Sequence, residues 1–190
     1  MKRIYTCTGD TGTTGLFGRR RVAKDDARIE ANGMLDTLNV DLGEVLSLMP
    51  SDWPYRPLLH RLQVELMSAM SLTATQSDLL AENQNRLDDN LIHEMETVID
   101  RLSDRTGESG HFLLPAGSCR VIALHRARVD ARTAERRLVT VDRNDPLAPG
   151  LLPLVNRVSD LLFALARVQA VEEGVEAEHR WKPFNYKNAR

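Results

Sequence analysis

Two stretches of this chain combine residue types that suit the handling of anions. The first is Thr6-Cys7-Thr8-Gly9-Asp10-Thr11-Gly12-Thr13-Thr14-Gly15, followed by Arg19-Arg20-Arg21 and Lys24. Glycines interleaved with hydroxyls let backbone N–H groups converge on phosphate oxygens, and nearby cations add charge. The stretch has neither the Gly-Lys-Ser/Thr ending of a Walker loop nor the spacing of the dinucleotide fingerprint. A plain Gly/Thr-rich turn is the competing reading. The second stretch is Arg128, Arg132, Glu135 and Arg136 within Ser118–Val141. At about 100° per residue, Arg128, Arg132 and Glu135 share one flank of a helix, while Arg126, Asp130 and Arg137 share the other. Planar guanidiniums one turn apart, half-buried on such a flank, suit bidentate binding of phosphate or carboxylate. The competing reading is a solvated, ion-paired face.

The elements that must carry these groups follow from apolar spacing. Leu124, Ala127, Ala131, Ala134, Leu138 and Val141 alternate spacings of three and four, and Ser118 is placed as an N-cap. The first long helix is expected from Asp26 or Arg28 to about Pro50, on the stripe Ala31, Leu35, Leu38, Leu42, Val45 and Met49. Asn32, Asp36, Asn39 and Gly43 flank that stripe, as ordinary boundary residues or facing a helix that carries arginines. Further helices are expected over about 57–73, 90–106 and 151–173, with a polar connection over 75–90. The loop 108–118 holds Phe112, which by residue type alone belongs to the core. On the last helix Asn156, Asp160, Phe163 and Arg167 lie opposite the core stripe, giving it two occupied sides.

The totals narrow the class. A chain of 190 residues with 42% hydrophobic and 27% charged residues is expected to form one soluble domain. A net charge of −2 and scarce aromatics disfavour nucleic acid as a partner. Two cysteines, Cys7 and Cys119, are too few for a disulfide framework or a thiolate metal site. No run approaches the roughly 18 apolar residues of a membrane span, and the first residues lack the core of a secretion signal, so a cytosolic protein without a membrane partner is expected. The architecture predicted is all-α, an up-and-down bundle of about five helices.

Several separated blocks resemble a known family. Thr6–Gly15, Arg20–Asp26 and Glu30-Ala31-Asn32-Gly33-Met34-Leu35-Asp36, then Phe112–Ser118, Arg128–Arg137 and Asn156–Phe163, are similar to the PduO-type ATP:cob(I)alamin adenosyltransferases, in the family's order and nearly to the end of the chain. The resemblance implies a ferritin-like five-helix bundle spanning 26–173, an ATP-binding loop over 1–25 and a tail over 174–190, all in a single domain. It implies a homotrimer with active sites between subunits, and a reductase partner that supplies reduced corrinoid. The implied reaction is transfer of the 5′-deoxyadenosyl group of ATP to the cobalt of cob(I)alamin, giving adenosylcobalamin and triphosphate. Cobalt(I) is then the nucleophile, so no Ser, Cys or His is required as one.

Position by position, the resemblance assigns Thr6, Cys7, Thr8, Gly9, Asp10, Gly12, Thr13, Thr14, Gly15 and Lys24 to the triphosphate, with Mg2+ carried by ATP and no dedicated protein site. It assigns Arg132, Glu135, Arg136 and Asn156 to ATP, and Asp36 and Arg128 to a pair across the subunit boundary on the corrinoid side. Phe112 is assigned to displacing the corrinoid's lower axial base. Three departures stand out: Cys7 replaces a usual lysine, Thr37 a usual glutamate and Ala116 a usual glycine. Arg19–Arg21 are candidates to supply the phosphate contact that Cys7 lacks. Two other readings remain. One is a homologue that binds corrinoid without turnover. The other is a di-iron bundle built on Glu108/His111 and Glu176/His179, which sit in a loop and in the tail rather than on facing helices.

Overall fold

The structure is a computed structural model and describes residues 5–107 and 113–175. Five helices follow a small hairpin: α1 (Ala27–Leu48), α2 (Arg56–Thr73), α3 (Asp89–Thr106), α4 (Cys119–Asp142) and α5 (Leu151–Glu172). The hairpin joins β1 (Thr13–Gly15) to β2 (Arg21–Ala23), antiparallel, with Thr14 opposite Val22. Strands this short carry no readable alternation, and the sequence reading had only a loop there. The five-helix expectation holds, and each helix boundary falls within two residues of its expected place.

The caps explain where the helices begin. Asp26 accepts the N–H of Arg28 at 2.8 Å, Asp88 that of Asn90 at 3.0 Å and Ser118 that of Arg120 at 3.1 Å. Each satisfies an amide that has no partner inside its own helix, worth about 1 kcal/mol. Gly117 has φ +133°, and a Cβ there would lie 2.9 Å from the Val121 side chain. Only glycine lets the chain leave the 113–117 loop and enter α4 at that angle.

Packing runs in the order α2, α1, α4, α5, α3, with α4 seated against both α1 and α5. Every residue of the predicted α1 and α4 stripes is buried. Leu35, Leu38 and Leu42 of α1 and Leu124 and Leu138 of α4 are fully enclosed, each contributing about 1.5–3 kcal/mol relative to an exposed position. The connection 75–88 is tied down by polar groups. Buried Asn83 donates to Thr75 Oγ1 at 2.8 Å and to Ser71 Oγ at 3.1 Å, and the Glu65 carboxylate takes the N–H of Asp88 at 2.6 Å. Among the described residues no helix is long and apolar enough to cross a membrane.

Candidate active site

The glycine-rich loop is shaped by its own backbone and one arginine. Gly12 N–H donates to Gly9 O at 3.2 Å, and Lys24 N–H donates to Gly12 O at 2.9 Å. Arg21 Nη2 donates to Thr8 O at 2.7 Å, Thr13 O at 3.1 Å and Thr13 Oγ1 at 2.6 Å. A Cβ on Gly9 would lie 3.3 Å from Lys24 Nζ and from Thr13 O, so the lysine tip rests directly over the glycine. The result is an exposed turn with a cation folded across it, a chemistry suited to phosphate oxygens. Cys7 is exposed and holds φ +58°, where a non-glycine residue is uncommon.

The arginine triplet corrects one expectation. Arg20 and Arg21 are not free to replace the phosphate contact missing at Cys7. Arg21 is committed to the loop backbone, and Arg20 pairs with Asp78 at 2.6 Å and with Gln76. Arg19 makes no ion pair among the described residues.

On α4 the arginines differ in their partners. Arg126 is ion-paired with α1, its Nε at 3.2 Å from Asp41 Oδ1 and an Nη on Glu44. Among the described residues Arg128, Arg132, Arg136 and Arg137 have no ion-pair partner, and Arg136 donates only to Thr133 Oγ1, at 2.9 Å. Arg128 is half-buried with its Nε enclosed and lacking an acceptor. Burial first, and the neighbouring Arg132 charge second, pull its pKa down. Arg132 and Arg136 are exposed, which corrects the expectation that the whole row is half-buried. Their long stems leave the Ala-rich stripe and carry the charge outward.

Glu135 and Asn156 meet across the α4–α5 seam, with Asn156 Nδ2 donating to Glu135 Oε1 at 2.9 Å. Phe163, on the same side of α5 as Asn156, supports the Arg128 guanidinium, 5.8 Å from ring centre to Cζ. Asp36 is exposed on α1 and makes no ion pair among the described residues. Nor does any described hydrogen bond or ion pair join the glycine-rich loop to the α4 row within one chain. Phe112, and the Glu-x-x-His pairs at 108–111 and 176–179, lie outside the described residues.

Comparison with known proteins places the chain in a family. A family model described as cobalamin adenosyltransferase matches residues 4–169. The chain belongs to the cobalamin adenosyltransferase family. It is 39% identical over 167 residues to the corrinoid adenosyltransferase PduO of Citrobacter freundii, covering 87% of this chain and 49% of that protein. It thus spans about half the length of the PduO relatives it matches. A second Citrobacter freundii corrinoid adenosyltransferase is 36% identical over 169 residues, 89% of this chain and 96% of that one. A variant of the PduO-type ATP:corrinoid adenosyltransferase from Lactobacillus reuteri, complexed with cobalamin and ATP, superposes with a TM-score of 0.87 at 29% identity, over 95% of this chain and all of that one. The family and the bundle expected from the sequence are therefore both borne out.

Sequence reading missed the polar partners that lock the family's elements together here. Arg28 is buried and joined to Asp145, 117 positions away, at 2.5 Å. Asp41 is buried beside Arg126 and Asp130. A charged residue at an otherwise apolar helical position was the available signal for Asp41. Arg28 offered the same one, three residues before Ala31 in the α1 stripe, but its partner lies in a distant turn that spacing does not reveal.

Proposed function

We propose that this chain transfers the 5′-deoxyadenosyl group of ATP to the cobalt of a reduced corrinoid, releasing triphosphate. Cobalt(I) attacks C5′ of the ribose, the C5′–O bond breaks, and its electron pair leaves on the triphosphate. The observation that carries this reading is the set of arginines on α4, Arg128, Arg132 and Arg136, left without carboxylate partners among the described residues. Cations held this way favour charge that develops on a leaving triphosphate more than the ground state. The Thr6–Gly15 loop with Lys24 is the complementary phosphate cradle. The Glu135–Asn156 pair retains free acceptors for the nucleoside.

Magnesium fits this scheme as an ion carried on the phosphates. Among the described residues no three His, Cys, Asp or Glu side chains gather to hold a metal. The loop offers Asp10 and threonine hydroxyls around a phosphate-borne cation. When bound, that ion would neutralise phosphate charge.

A homotrimer with sites between subunits is part of the proposal. It is supported by the two half-sites left unconnected within one chain and by exposed apolar side chains on two faces, Val40, Val64 and Met67 on α1 and α2, Ile122 and Val129 on α4. Asp36 of one subunit then meets Arg128 of the next. Cobalt(I) must be generated beforehand, so a reductase is the expected partner. The two exposed free cysteines suit a reducing compartment such as the cytosol.

Anaerobic incubation with chemically reduced cobalamin and ATP tests the activity. A light-sensitive alkylcobalt spectrum with one triphosphate per product is the expected result. Tight corrinoid binding with no ATP-dependent product would replace this reading with a binding protein.

A further inference from the structure

We propose that Asp145, with Arg28, is a positioning residue for the nucleotide loop, an inference that rests on the ATP-binding role given above to Thr6–Gly15 and Lys24. Arg28 opens α1, four residues after Lys24, and is only 4% exposed. Its Nη1 donates to Thr73 O, the last residue of α2, at 2.7 Å. Its Nη2 donates to Asp145 Oδ2 at 2.5 Å and to Asp145 O at 3.3 Å. Both oxygens of the Asp145 carboxylate also lie 3.3 Å from the N–H of Ser77. Burial pushes that carboxyl up, but the Ser77 and Arg28 donors more than offset it, and its pKa is lowered.

The segment that Asp145 holds is the one that carries the hairpin. Ala74 O accepts the N–H of Phe17 at 3.0 Å, while Gln76 and Asp78 accept from Arg20. The nucleotide loop is therefore tethered on both sides, through residues 17–20 and residues 24–28, to one carboxylate in the turn after α4. An open cleft of about 240 Å³ is lined by Leu16 and Val22 beside the hairpin, by Gln76, Val141 and Asn144, and by the Arg28–Asp145 pair. Apolar packing does not fill that space. The polar struts hold the loop against the end of the bundle, beside the core residue Val141. Weakening the struts should let the loop wander while the helices stay packed.

The test measures ATP and corrinoid binding by calorimetry, with thermal unfolding of the helical signal, in the full chain. Asp145→Ala and the double variant Arg28→Met/Asp145→Leu, which leaves no unpaired buried charge, should each weaken ATP by about tenfold or more, the scale of one or two lost charge-assisted bonds. Corrinoid affinity should change less than twofold. Asp145→Asn, which keeps one side-chain acceptor oxygen, should recover part of the loss. Arg20→Ala removes an exposed strut and should weaken ATP without moving the unfolding midpoint. Unchanged ATP affinity in Arg20→Ala and in the double variant would overturn the proposal. So would equal losses of both ligands that track the unfolding midpoint, because the pair would then serve the fold alone. A wild-type chain that binds no ATP would instead overturn the adenosyltransferase reading on which this rests.

Discussion

The Arg128 guanidinium lies against the Phe163 ring, while its Nε–H points into the protein with no acceptor. The side chain is held from one side and left unsatisfied on the other. The Nη groups, unlike the enclosed Nε, remain reachable and carry no ion pair among the described residues, so a carboxylate from a neighbouring copy would pair there, and exposed Asp36 is the proposed source of that carboxylate. Asp36→Asn and Arg128→Met should each reduce turnover sharply, since removing one partner of such a pair costs roughly 3–5 kcal/mol. The double variant should lose less than the sum, by about 0.5–3 kcal/mol of coupling. Mixing the two single variants should restore activity as subunits exchange and form interfaces with both groups intact. Additive losses with no recovery on mixing would show that the two act separately.

Arg132 is exposed and outside the packed stripe. Arg132→Ala should therefore leave the thermal midpoint and oligomeric state unchanged. Turnover should fall on the order of a hundredfold, corresponding to about 3 kcal/mol of stabilisation of developing negative charge. Steady-state rates beside differential scanning calorimetry decide the matter.

The Asn156–Glu135 hydrogen bond predicts an order of severity. Asn156→Ala removes one donor and should weaken ATP binding about tenfold. Asn156→Asp places a second carboxylate against Glu135 and should be worse. Part of that extra loss should return at lower pH, as the two acids come to share a proton. Equal affinities for the two variants at all pH values would mean that Asn156 does not orient Glu135.

Asp41 should make stability fall as pH rises. Burial foremost, and Asp130 beside it, lift its pKa to about 6, against the opposing pull of Arg126. In the unfolded chain the same group titrates near ~3.9, so the folded state binds the proton more tightly. The resulting stabilisation is complete below that value and is lost as pH rises through about 6. Its size is on the order of 2–3 kcal/mol. Asp41→Asn should flatten the fall in melting temperature between about pH 4 and about pH 6.5, the window bounded by the unfolded and folded values. A variant less stable than wild type at pH 7.5 would show that the Arg126 ion pair outweighs the cost of burying the charge.

The helices were legible because their apolar periods are long and clean. The stripe from Leu124 to Val141 has only one geometric solution, and Ser118 marks its start. The residue types of the candidate site, and their order along the chain, could be read from the sequence, while their roles belong to the proposal. Exposure was not, because Arg128 and Arg132 share a flank yet differ in depth, and the difference comes from the position of Phe163 on another helix. Three-residue strands such as Thr13–Gly15 are too short for any period. Contacts such as Arg28 with Asp145 depend on which chain segments meet at the end of the bundle, a tertiary fact that local pattern does not carry.

Four alanines of α4 (Ala123, Ala127, Ala131 and Ala134) lie in the core. Alanine has no rotamers to exchange, so this face of the helix has one shape and cannot adapt by side-chain rearrangement. Enlarging one of them, as in Ala131→Leu, would displace the whole rod, because a close-packed interior has no slack of that size. Every guanidinium on the rod would shift with it. The register of cations offered to a ligand is therefore governed by methyl groups on the far side of the backbone, which the ligand never meets.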